Sequence, residues 1–489
     1  MSLSQNIIKS SMLMLFGKFI SRSIGLISTL ILARLLTPED YGIVAIATLM
    51  IFLFDTISNT GLREYIVYKD DLDQSDLSSA WTFNLSIKII VWILFLITIP
   101  FIADYYEKPE LNSVLFAISF ILPIEAFKNV GLFLFQKELN YKPQFLLDVS
   151  HKIIAFAVVV PVAFWLKNYW AMIIGNLVSY FVMALGSYYL HKFRPQFRLS
   201  NIRHQWNFSK WMMPKSILGF SRAEVDTLLV SKIFDFSSLG GFNLMKSIVG
   251  MVGRDVIVPA TEPLLASFSK VKNDSARFNF QLNISLFFML AVSLPIMLFL
   301  WLFHYQIILL LLGEKWISYT HVFAALSILI LSQSVTAVLE HCLTSLGRIK
   351  VLFYFEFWGV LITVLTLLLI KFDSLYEFSV TRGFLALIIS LIILIYIKIT
   401  TKLSFIYLAT LILPIILSLL ITYTAVINTN IPPNIGNFFL VAIYGIEFTI
   451  TYCISMIVIY YFFRHKNEVV YFRWLLSQAL NVIPGIKKK

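Results

Sequence analysis

Charge is what this 489-residue chain has least of. Asp, Glu, Lys and Arg together make up 13% of it, about half of the roughly 25% found in soluble globular domains. So few charges cannot cover a water-exposed surface of this size, which excludes a soluble enzyme. Cysteine is nearly missing: Cys342 and Cys453 are the two present. Both lie in apolar runs, so neither a disulfide framework nor a cysteine metal site is encoded. There is no glycine-rich, phosphate-cradling loop, and hence no nucleotide-driven motor. Strand-like alternation of apolar and polar residues over about ten positions is also lacking, which excludes a transmembrane barrel.

What fills the chain instead is hydrocarbon. Hydrophobic residues reach 59% and aromatics 16%, and the mean hydropathy is +0.83. Unbroken apolar runs of about 20 residues are the length a helix needs to cross a bilayer. They predict an all-α polytopic membrane protein with about fourteen transmembrane helices, at 11–36, 39–62, 80–102, 111–136, 145–166, 169–190, 208–234, 240–268, 280–303, 319–345, 352–370, 376–397, 404–427 and 436–463. The connectors are too short for a folded extramembrane domain. The first run holds Lys18 and Arg22 and lacks a small-residue cleavage site, so it reads as a span rather than a cleaved signal.

The net charge of +12 would suggest nucleic acid in a soluble protein. Here its distribution follows the membrane rule instead. With the N-terminus inside, the outer connectors carry only Lys108, Lys167, Lys315 and Lys371, and the inner ones carry clusters such as Lys192 to Lys210 and Arg464 to Lys489. Cytoplasmic connectors are enriched in Lys and Arg, so both termini are expected in the cytoplasm, with the inner clusters attracted to anionic membrane lipids. The acidic group Asp70, Asp71, Asp73 and Asp76 reads as a solvated loop.

A shift of 198 residues aligns Ser23 with Ser221, Thr29 with Thr227, Arg34 with Lys232, Gly42 with Gly240 and Glu64 with Glu262. Six spans separate the paired helices, so the halves share one orientation, as in transporters built from parallel repeats. This predicts an N-terminal lobe at 1–198 (helices 1–6), a C-terminal lobe at 199–400 (helices 7–12), and helices 13–14 with a basic cytoplasmic tail at 401–489.

Depth separates the embedded charges. At 1.5 Å per residue, Arg22 lies roughly 16 Å into its span, and Arg222 and Arg254 roughly 21 Å into theirs. All three fall near the middle of a hydrocarbon core about 30 Å thick. An arginine there costs about 2.5–3.5 kcal/mol or more, so these groups should face water, partners or an anionic ligand. Lys18, Lys215 and Lys246 lie nearer the span ends; Lys18 with Arg22, and Lys215 with Arg222, make basic ladders along single helices. Asp55, Asp226, Asp255 and Glu340 are embedded acids that suit ion coupling or charge pairing. Arg222 and Asp226 share a helix face, whereas Asp255 points about 100° away from Arg254. Glu356 and Glu447 are further embedded acids. Lys88, Lys128 and Lys152 are expected to snorkel to the interface. His151, His304, His321 and His341 are expected to be hydrogen-bonded packing residues.

The string Ala33-Arg34-Leu35-Leu36-Thr37-Pro38-Glu39-Asp40-Tyr41-Gly42 and the turn Leu311-Leu312-Gly313-Glu314-Lys315-Trp316 resemble turns of the Wzx-type flippases. These belong to the multidrug/oligosaccharidyl-lipid/polysaccharide superfamily. The resemblance covers essentially the whole chain. It implies alternating access, movement of polyprenyl-diphosphate-linked oligosaccharide repeat units across the bacterial inner membrane, and a cationic cavity lined by helices 1, 2, 7 and 8. Arg22, Arg222, Arg254, Lys18, Lys215 and Lys246 occupy those helices. It implies no cofactor, no catalysis and no nucleic acid; the expected partners are the lipid-linked oligosaccharide, membrane lipids and other polysaccharide assembly proteins. A multidrug or cation antiporter of the same superfamily would want an acidic cavity, and a polysaccharide polymerase a large outer loop.

Overall fold

The computed structural model describes residues 3–69, 72–138, 140–200, 202–401, 404–429 and 436–462. Asp70, Asp71 and the basic tail beginning at Arg464 lie outside them. The described residues form helices and connecting turns, with no strand among them. In chain order the α-helices are α1 (Leu3–Leu35), α2 (Pro38–Ile57), α3 (Leu62–Tyr68), α4 (Gln74–Tyr105), α5 (Glu110–Ser119), α6 (Ile121–Ala126), α7 (Leu132–Lys137), α8 (Lys142–Leu166), α9 (Trp170–Leu190) and α10 (Ile202–Ile233). Then come α11 (Phe236–Val252), α12 (Pro263–Val271), α13 (Ser275–Leu302), α14 (His304–Leu311), α15 (Thr320–Leu326), α16 (Ile328–Ser345), α17 (Ile349–Leu369), α18 (Leu375–Thr401), α19 (Phe405–Asn428) and α20 (Asn437–Phe462).

Among the described residues, eleven helices are long and apolar enough to cross a membrane, so this is a multi-pass membrane protein. Three of the fourteen expected spans fall outside that set, each for a local reason. The stretch 111–136 is divided into α5, α6 and α7; Pro123 lacks the N–H that would bond Ser119, and the break falls there. The stretch 208–234 lies in α10, an unbroken helix too rich in charge to count as apolar. The stretch 240–268 is interrupted by a π turn at Gly253–Ile257 and a 3₁₀ turn at Val258–Thr261. Pro259 removes the donor that Asp255 would need there.

Local chemistry starts the helices. Thr37 caps α2 by accepting from the Asp40 N–H, Asp40 answers to the Thr37 N–H, and Pro38 stands where its missing donor costs nothing. Asp73 and Asp76 do the same for α4. Asp76 also holds Lys69 at 2.5 Å, so these two acids are helix-start and ion-pair residues.

The chain forms two compact units, Met1–Leu244 with Leu311–Tyr319 and Val360–Leu375, and Met245–Leu310 with Thr320–Gly359 and Tyr376–Lys489. In the first, α8 packs on α1 and α9, and α2 on α10 and α5; α2 is the most enclosed, its run of Tyr41–Ala47 being entirely buried. In the second, α13 packs on α16 and α19, around buried Phe268, Leu282, Leu286, Leu339 and Ile397. Elsewhere large apolar side chains such as Phe101, Leu369 and Ile457 point outward, as they do where the solvent is acyl chain.

Candidate functional site: embedded charges

In the first unit, Lys18 and Arg22 lie one turn apart on α1, and both side chains are exposed. The intervening Ser21 hydroxyl donates to the Asp148 carbonyl of α8 at 3.1 Å, which fixes the rotation of α1 against its neighbour. Lys152 on α8 lies within electrostatic reach of Arg22 and Asp148. Lys215 and Arg222 are exposed on α10, while Asp226, one turn further on, is buried. Side chains with the cost of a mid-membrane arginine do not point into lipid without compensation.

Lys88 differs from its expectation. It does not snorkel: it is 6% exposed, and its ammonium is held between two carboxylates. It donates to Asp55 Oδ1 on α2 and to Glu125 Oε2 on α6, the latter at 2.9 Å. The two carboxylates on neighbouring helices, rather than interfacial water, compensate its charge. Glu125 went unnoticed in the sequence; the available signal was a lone acid inside an apolar run. Lys128 is half-buried and directs its ammonium to Met183 Sδ at 3.3 Å. His151, His304 and His341 are hydrogen-bonded as expected, whereas His321 is exposed and makes ring contacts. His151 is buried against the Ser179 hydroxyl at 2.9 Å, His304 bonds the Trp301 carbonyl at 2.8 Å, and His341 meets Thr261 Oγ1 at 3.1 Å. His321 lies beside the His304 ring.

In the second unit, Arg254 sits on the π turn. Its side chain is 62% exposed, and its Nε lies 3.6 Å from Asp255 Oδ1. The two therefore pair, against the expectation that they diverge; the π turn that holds both is a local departure from α-helical geometry. Gly253 opens that turn, and a Cβ there would stand 2.5 Å from Gln333 Oε1. Lys246 and Glu340 are half-buried. Glu447 accepts from the Thr429 hydroxyl. Among the described residues, no group of three or more His, Cys, Asp or Glu is arranged to hold a metal ion.

The arrangement can do two things chemically. The exposed lysines and arginines can solvate an anion inside a low-dielectric region, and the Asp55–Lys88–Glu125 triad can tie α2, α4 and α6 together.

Known proteins are similar to this chain in sequence or in fold. A model of the polysaccharide biosynthesis protein family matches residues 31–321, more than half of the chain. The lipopolysaccharide biosynthesis protein WzxC of Escherichia coli (strain K12) is 23% identical over 389 residues, 79% of each chain. The succinoglycan biosynthesis transport protein ExoT of Rhizobium meliloti (strain 1021) is 23% identical over 323 residues, 65% of this chain and 64% of that one. Among solved structures, the lipid II flippase MurJ in an inward closed conformation superposes with a TM-score of 0.75 at 15% identity, over 93% of this chain and 99% of that one. An inward-facing multidrug resistance MATE transporter of the MOP superfamily follows at 0.56 and 12% identity, over 78% and 94%. The resemblance read from the two turns thus holds, and the chain belongs to the polysaccharide biosynthesis protein family.

Proposed function

We propose that this protein is an alternating-access flippase that carries polyprenyl-diphosphate-linked oligosaccharide repeat units from the inner to the outer leaflet of the bacterial plasma membrane. The observation that carries the reading is the exposure of Lys18, Arg22, Lys215, Arg222 and Arg254 on helices that are otherwise apolar or embedded. A diphosphate cannot shed its water in hydrocarbon without replacement partners, and guanidinium groups supply paired charge-assisted donors. The names of WzxC, ExoT and MurJ support the same reading. The basic excess argues against an antiporter of cationic drugs. The two lobes of the repeat, 1–198 and 199–400, with 401–489 appended, are the bodies that move in this proposal, and Asp55, Asp226, Asp255 and Glu340 its charge partners or coupling groups. Other polysaccharide assembly proteins would act before and after it.

Deleting the gene should stop surface polysaccharide and trap lipid-linked repeats in the cytoplasmic leaflet, and the purified protein in liposomes should move such a lipid between leaflets. Normal glycan in the deletion strain, with no transfer in liposomes, would sink the proposal.

The charge asymmetry of the connectors further supports cytoplasmic termini. A phosphatase reporter joined after Lys489 should be inactive and a cytoplasmic reporter there fluorescent; the opposite pattern would refute the orientation.

A further inference from the structure

The two turns that carry the family resemblance, about 280 residues apart in the chain, are seated on each other. Lys315 donates to the carbonyls of Arg34, Leu35 and Leu36, at 3.2, 3.0 and 3.4 Å. It thus places a cation on the C-terminal end of α1, where the helix dipole favours one. The Trp316 indole is wholly buried and donates to the Ala33 carbonyl at 2.8 Å, with Tyr41 edge-on at 5.1 Å. Arg34 returns a bond to the Leu311 carbonyl at 3.4 Å. Beside this clasp, the start of α2 meets the start of α11 with no side chain between them. A Cβ on Gly42 would lie 2.0 Å from Phe236 O, and one on Gly240 would lie 1.9 Å from Pro38 O and 2.7 Å from Gly42 N.

Gly42 and Gly240 are also the residues that the 198-residue shift places in register. Two repeat-related positions can touch only where the axis relating the repeats passes. In a parallel repeat that axis runs along the membrane normal, between the halves, where the substrate path lies. A contact on the axis at the ends of the first two spans and their repeat equivalents therefore closes the path on that side. The connectors concerned hold Thr37 to Asp40, Asp235 to Gly241 and Leu311 to Trp316, all outer by the charge bias.

We propose that the Gly42–Gly240 crossing and the Lys315–Trp316 turn seated on α1 form the extracytoplasmic gate of the transport cycle. The glycines permit the seal and Lys315 acts as its latch. This rests on the flippase reading above. Opening would break Lys315's bonds to the α1 carbonyls, which lie at the exposed rim and can be replaced by water. It would also separate a pair of glycine backbones that no side chain interlocks.

The test uses the full-length protein with Cys342→Ala, Cys453→Ser and Ala33→Cys, and a membrane-impermeant maleimide added to intact cells. Ala33 is wholly buried under Trp316, so its cysteine should label poorly. Adding Gly240→Ala, which cannot keep the crossing, should raise labelling roughly tenfold or more by shifting the population to the open state, while export is lost. Gly436→Ala, where an added Cβ meets nothing within 4 Å, should change neither. If Gly240→Ala lowers the amount of protein, Lys315→Met, which removes only the latch charge, should still raise labelling. Unchanged labelling in both variants, or labelling confined to inside-out vesicles, would overturn the gate. Export by the unsubstituted protein is scored separately, so failure of the gate and failure of the flippase reading are told apart.

Discussion

Replacing Arg22, Arg222 or Arg254 by Gln should cut glycan export about tenfold or more while leaving the amount of protein in the membrane unchanged. All three side chains are exposed, so neutralising them opens no cavity in a packed core. In the flippase proposed above, what would be lost is solvation of the travelling diphosphate. Hydrogen bonds to a charged group contribute about 1.5–3 kcal/mol each, and every 1.4 kcal/mol or so is tenfold in binding. Each Gln variant should therefore lose about tenfold to more than a hundredfold in export rate. Lysine keeps the charge but not the planar fork, so the Arg→Lys variants should retain some of the activity. Arg254 is the sharpest case, because Asp255 lies beside it. Asp255→Asn should leave the arginine in place and spare more activity than Arg254→Gln does. The measurement is surface polysaccharide in a strain lacking the native gene, alongside immunoblots of the membrane fraction. Normal export by all three Gln variants would refute the cationic path, and lost protein with lost export would assign the arginines to stability.

Lys88→Met should have the opposite signature, depleting the protein from the membrane. Breaking a fully buried ion pair costs about 3–5 kcal/mol, because the other charge is stranded. Lys88 is buried, but the Asp55 and Glu125 side chains are 36% and 32% exposed, so the cost should fall below that range. Here two carboxylates, Asp55 and Glu125, would be left facing each other where Lys88 had separated them. Even a part of that cost matters against the roughly 5–15 kcal/mol by which proteins are stable. The cost arises from the stranded charges rather than from the missing ammonium. The triple variant Asp55→Asn, Lys88→Met, Glu125→Gln should accordingly recover most of the protein level. Thermal unfolding in detergent and membrane abundance both report this. A Lys88→Met protein as abundant and heat-resistant as the original would show that the triad does not hold α2, α4 and α6 together.

Much of this protein is written in short stretches of sequence. Apolar runs of bilayer length specify a multi-pass helical protein, because hydrocarbon leaves the backbone no other partner than itself. The start of α2 is legible in Thr37-Pro38-Glu39-Asp40, because a capping box depends on neighbours within one turn. The tertiary structure decided what lies across helices. Lys88 meets acids 33 and 37 residues away, and Trp316 finds a carbonyl 283 residues away. Within the π turn that interrupts the eighth span, Arg254 pairs with Asp255. The reason is the solvent itself. In water, the polar and apolar faces of a helix tell which side is buried, but in a bilayer the lipid-facing and protein-facing sides are both apolar. Periodicity along the chain then records that a helix is in the membrane, and only packing decides which of its sides meets which neighbour.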